Sequence, residues 1–113
     1  MSARNQLLAA PPYEVEQALK TLGESLRTAR LRRNLSIAEV AAKIGVHRHV
    51  IGDAERGKAS TGIGIYAGLL WALGLTGQLA RVADPETDDE GLARSRDRDR
   101  TRAGARKVLD DDF

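Results

Sequence analysis

Within seven consecutive positions the chain places His47, Arg48, His49, Gly52 and Asp53, bracketed by Gly45 and Gly57. At helical spacing they make the outward face of a short helix running from about His47 to Arg56. These groups can hydrogen-bond the planar edges of nucleobases. Arg48 can donate two parallel bonds to O6 and N7 of guanine, worth about 1–3 kcal/mol of discrimination. His49 can donate to an acceptor on guanine or to a phosphate oxygen, and Asp53 can accept from N4 of cytosine but would repel phosphate. Gly52 has no side chain, which suits close approach to a thymine methyl or to the sugar-phosphate wall. His47, at the helix start, fits phosphate positioning better than base readout, and serine or threonine would cap the helix better. The plainer alternative for Arg48 and His49 is a solvated surface.

The flanking segments must hold that face in place. Ser36 is a good N-cap, and Glu39 three residues later completes a capping box. The helix they open buries Val40, Ala41 and Ile44, and Gly45 ends it where a left-handed residue is needed. Val46, Val50, Ile51 and Ala54 supply the core face of the next helix. Leu35 to Gly57 therefore reads as a helix-turn-helix whose second helix can enter the DNA major groove. Ser36, Lys43, Arg32, Arg33 and Lys58 are candidate phosphate ligands, with the helix N-terminus at Ser36 aimed at the backbone. Charge supports this: Glu24 to Lys58 holds 8 Lys/Arg against 4 Asp/Glu, whereas Asp84 to Phe113 holds 7 against 10.

Upstream, Pro11 and Pro12 stop any earlier helix, leaving residues 1–11 as a flexible arm. Val15, Ala18, Leu19, Leu22, Leu26 and Ala29 then mark a helical stripe. Gly23 interrupts it at about 1 kcal/mol relative to alanine, so the stripe predicts either one long bent helix or a short leading helix followed by another from Glu24. Arg32, Arg33 and Asn34 close it. Downstream, a fourth helix starts at Thr61 or Gly62, turns Ile63, Tyr66, Ala67, Leu70 and Leu73 inward, and stops at Gly74. A fifth spans Thr76 to Ala83. Leu69 and Trp71 lie off the main stripe; this surplus apolar surface suits a partner or a dimer mate, or is covered by the N-terminal helix.

Residues 12–83 thus form the folded domain. From Asp84 the chain becomes an acidic linker and then RSRDRDRTR over Arg94–Arg102, nearly without apolar residues. A helix would set like charges four apart there, so residues 84–113 are expected to be disordered until a polyanion or a partner orders them. Phe113 is the lone aromatic at its end and, with Trp71, a candidate partner contact.

With 113 residues, 42% hydrophobic, 4% aromatic and 30% charged, the chain has room for one small helical core, which dimerisation would supplement. It holds no cysteine, which excludes disulfides and thiolate metal sites. No signal peptide or membrane span is expected, and a cytoplasmic protein is. His47 and His49 diverge on a helix, and His49 with Asp53 lacks a third ligand, so neither metal nor cofactor is expected. No nucleophile-elbow or phosphate-loop pattern is present, and no enzyme is expected.

The segment LGESLRTARLRRNLSIAEVAAKIGVHRHVIGDAERGKAS, continued by LLWALGL, resembles the lambda-repressor-like, Xre-type helix-turn-helix family over Leu22 to Leu75. The resemblance rests on Leu35-Ser36-x-x-Glu39-Val40-Ala41, on Gly45-Val46, and on Ile51-x-x-x-Glu55-Arg56-Gly57. It implies an all-α, five-helix domain, here with an extra N-terminal helical lead and a disordered charged C-terminal tail. The third helix would lie in the major groove, usually as a homodimer on a palindromic operator of double-stranded DNA. Two positions depart from the family: Ile37 stands where a glutamine commonly braces the recognition helix and bonds a phosphate, and His47 replaces its Ser/Thr. A narrower likeness, carried by PYEVEQALKTLGESLRTARLRR, by ALGL and LARVADPETDDEGLA, and by the Arg-rich tail ending in DDDF, is to HipB-type antitoxins. It implies a repressor of its own operon that binds a HipA-type kinase toxin. A free-standing repressor, or an interaction module that has lost specific DNA binding, are the rival readings.

Overall fold

A computed structural model describes the backbone of residues 5–111 and the side chains of residues 5–106. Every regular element among the described residues is helical, and the chain divides into two units, one ending at Leu79 and the other beginning at Ala80.

The first unit opens with a single turn, α1 (Gln6–Ala9), where a flexible arm is expected. The Asn5 side chain caps it, accepting from the N–H groups of Leu7 and Leu8 at 3.0 and 3.4 Å. After Pro11 and Pro12 comes α2 (Tyr13–Arg32), one unbroken helix with Glu14 and Glu16 in its first turn and Arg30 and Arg32 in its last, as the helix dipole favours. Asn34 takes the left-handed conformation, φ 54°, that lets the chain leave it.

Gly23 neither breaks α2 nor starts a new helix. A Cβ at this position would stand 2.7 Å from the carbonyl oxygen of Ala54 and nearer still to that of Glu55. Glycine is there because α2 lies backbone to backbone against the end of α4 (Arg48–Glu55). Gly57, just past α4 with φ 76°, meets α2 in the same way: a Cβ there would be 2.8 Å from the Leu19 carbonyl.

Between them runs α3 (Ile37–Ile44). Ser36 Oγ accepts from the Glu39 N–H at 3.0 Å and a Glu39 carboxylate oxygen accepts from the Ser36 N–H at 3.2 Å, so the capping box is formed. Gly45 closes α3 at φ 74°.

α5 (Ile63–Ala72) and the single turn α6 (Thr76–Leu79) complete the unit. The core joins Leu26 of α2, Val40 and Ala41 of α3, Ile51 and Ala54 of α4, and Tyr66, Leu69 and Leu70 of α5. Two residues on α5 exchange their expected places. Leu69 is buried at 1% exposure, whereas Ile63 is 70% exposed. Because α5 reads IGIYAGLLWA, apolar almost all round, no period in the sequence can select its inner face. The expected helix Thr76–Ala83 is also cut short: Val82 is exposed and Ala83 adopts φ 57°.

The second unit corrects the expectation of a disordered tail. Asp84 caps a 3-10 turn, Pro85–Thr87, and α7 runs over Asp89–Asp111. Asp88 Oδ1 accepts from the Gly91 N–H at 3.0 Å. Arg94 pairs with Glu90 four residues before it, and Arg100 with Asp97 three before it. The arginine repulsions foreseen from the sequence are present, but interleaved carboxylates at helical spacing oppose them. Phe113 lies outside the described residues.

Candidate nucleic-acid interface

α4 starts at His47, which sits in an extended conformation (φ −69°, ψ 146°) and gives the helix no side-chain cap. His47, Arg48 and His49 are all exposed, and the two imidazole centres are 5.3 Å apart at a 39° tilt. Three residues at the start of α3, Ser36, Ile37 and Ala38, face Arg48, His49, Gly52 and Arg56 across a shallow open groove, with Arg30 at its edge. The Ser36-capped helix end and the first turn of α4 thereby open on the same space.

Gly52 differs from its expected position on the exposed face: it is buried. The Arg56 side chain crosses over it, with Nη1 at 3.2 Å from where a Cβ would be. Close approach of a ligand to Gly52 therefore requires Arg56 to move. Asp53 is half-buried and already engaged, with Arg56 at 2.5 Å and Lys58 at 3.4 Å. Burial pushes its carboxyl pKa up, but the hydrogen bonds from Arg56 and Lys58 outweigh this and hold it below the ordinary value. Any acceptance from cytosine by Asp53, or phosphate contact by Lys58, competes with this internal pair.

The remaining candidates lie elsewhere. Lys43, at the far end of α3, donates to the Ala72 carbonyl at 3.3 Å and has its ammonium 5.4 Å from the Trp71 ring centre. There it helps to satisfy the C-terminus of α5. Arg32 and Arg33 line a different groove, along α2 with Leu75 and Gln78, and Arg33 donates back to the Ala29 carbonyl at 2.8 Å. Trp71 is 57% exposed. Of the residues singled out in the sequence, Ser36, Arg48 and His49 share one groove, His47 adjoins it, and Lys43, Arg32 and Arg33 do not reach it.

Two functional features have no counterpart in that list. Arg56 covers Gly52 and lines the groove; its place four residues after Gly52 and eight after Arg48 put it on that helical face. The second is a buried clamp. Arg30 Nε and Nη2 donate to the two carboxylate oxygens of Glu55 at 2.7 and 2.9 Å, while Nη1 donates to the Leu35 carbonyl at 2.9 Å. One guanidinium thus ties α2 to the end of α4 and to the residue that leads into α3. The Glu55 hydrogen bonds raise the Arg30 pKa above its ordinary value against the opposing effect of burial. The clamp sets the angle at which α4 presents Arg48 and His49.

Among the described residues no three His, Asp or Glu side chains come close enough together to hold a metal ion, and no helix is long and apolar enough to cross a membrane. A family model described as a helix-turn-helix domain matches residues 21–83. No curated protein matches the chain.

Proposed function

The chain belongs to the helix-turn-helix domain family, and from that premise we propose that it is a sequence-specific DNA-binding transcriptional repressor acting in the cytoplasm. One observation supports this reading above the others. Arg48 and His49, exposed and without ion-pair partners among the described residues, stand at the uncapped first turn of α4 beside the capped N-terminus of α3. In this reading Arg48 donates to guanine in the major groove and His49 reads or positions beside it. In the same reading the N–H groups of Ile37 and Ala38 in the first turn of α3, and of Arg48 and His49 in the first turn of α4, receive phosphates. Ile37 lines the same groove and offers that surface only an apolar contact, so backbone positioning falls to the helix ends and to Arg56. Arg56 and Lys58 meet phosphate after releasing Asp53.

A homodimer on a palindromic operator is part of the proposal, with exposed Trp71 as a candidate mate or partner contact. The finer identity, an antitoxin of the HipBA type that binds a kinase toxin, rests on the sequence resemblance alone. Co-purification of the native protein with a kinase would support it, and isolation without one would leave a free-standing repressor. The DNA reading is tested by selecting bound duplexes from a random pool. Arg48→Ala is expected to relax preference at one base position in each half-site, by about 1–3 kcal/mol. An unchanged selected sequence would remove Arg48 from base recognition.

A further inference from the structure

The second unit carries a charged surface that base recognition does not use. On α7, Arg94, Arg98, Arg102 and Arg106 follow one another at intervals of four and are all exposed. Residues four apart on a helix share a face, each about 6 Å further along the axis. The row therefore extends about 18 Å, the length over which one strand of B-form DNA presents roughly five phosphates. Arg94 is paired with Glu90. Among the described residues, Arg98, Arg102 and Arg106 have no carboxylate within ion-pair distance. Asp97 is taken up by Arg100 on another face, and Asp99 flanks the row without pairing to it.

We propose that this arginine row is a second nucleic-acid contact, which grips the phosphate backbone of duplex DNA without reading its sequence. The positions beside the row, Ser95, Thr101 and Ala105, hold no large apolar side chain. Protein interfaces are anchored by such side chains, whereas a phosphate backbone asks only for donors and positive charge. Stacking like charges at helical spacing disfavours α7 in isolation, and phosphates placed along the row reverse that effect. The inference rests on the DNA-binding reading of the chain but not on base recognition by Arg48.

The test uses the whole chain and a random-sequence duplex, with affinity measured by fluorescence anisotropy from 50 to 200 mM salt. Each phosphate contact contributes about 0.9 to the slope of log K against log salt. The variant Arg98→Gln/Arg102→Gln/Arg106→Gln is expected to flatten that slope by about 2.7, so that the parent loses roughly 40-fold more affinity across this range than the variant. The corresponding Arg→Lys variant is expected to restore the slope. A Gln variant with the parent's slope overturns the proposal and leaves the row to an acidic protein surface. If operator preference survives in that variant, the row alone has failed. Conversely, a slope that depends on the row in a chain with no preferred sequence supports the row and defeats the repressor reading.

Discussion

Gly23→Ala sets two effects of opposite sign against each other. In an open helix the change would stabilise α2 by about 1 kcal/mol, because alanine loses less conformational freedom than glycine. At this site the new methyl would stand 2.7 Å from the Ala54 carbonyl oxygen and nearer to that of Glu55. Ordinary contact needs about 3.5 Å, so α2 must withdraw from α4 by roughly 1 Å. Both obstacles are backbone atoms, which cannot swing aside as a side chain could. Overpacking of this kind costs about 1–3 kcal/mol, and a rigid obstacle belongs near the top of that range. Arg30 lies two turns further along the same face, so withdrawal also stretches its bonds to Glu55. A net loss of about 2 kcal/mol is expected, lowering the midpoint of thermal unfolding by roughly 8–16 °C for a unit of this size. Unfolding is followed by the fluorescence of the single tryptophan, Trp71. Gly64→Ala is the control: nothing lies within 4 Å of its would-be Cβ, and it should raise stability by up to about 1 kcal/mol. A Gly23→Ala protein as stable as the parent, or more so, would refute the close-approach reasoning.

Two further outcomes follow from the same geometry. Glu55→Gln leaves the Arg30 guanidinium buried without its counter-charge and should cost about 3–5 kcal/mol in urea unfolding; a loss under 1 kcal/mol would show that the clamp contributes little. The Asp53 carboxyl ionises below its ordinary value of 3.8 in the folded chain. Its contribution to stability is therefore fully present above that pH and fades as pH falls through the lower folded value. Asp53→Asn should flatten the acid limb of the stability profile below about pH 3.8, and an identical acid limb would contradict the pairing with Arg56 and Lys58.

The capping box, the left-handed Gly45 and the turn at Asn34 were legible in the sequence because each is local. Three or four adjacent residues carry the whole physical reason. Gly23 and the Arg30–Glu55 clamp were not, since what gives them meaning arrives from α4, 25 or more positions away for the ion pair. Sequence pattern treats a lone arginine and a lone glutamate as surface. The face of α4 was half-legible: spacing placed Arg48 and His49 outward, but missed that Arg56 would fold back over Gly52. In α5 the hydrophobic period had nothing to discriminate, and Leu69 and Ile63 changed places. For α7 the sequence held both repulsive and attractive charge pairs, and weighing only the arginines led to disorder.

The glycine joint between α2 and α4 also bears on how the molecule moves. Packed side chains accommodate small displacements by hopping between rotamers, but Gly23 and Gly57 present no side chain to hop. Displacement of α4 there requires the two main chains to part as a whole and the Arg30–Glu55 bonds to break with them. Backbone amides at the end of α4 should consequently exchange their hydrogens with solvent only as fast as the entire unit opens. The duplex would then meet a reading head already locked in its working orientation, with little ordering left to be done on contact.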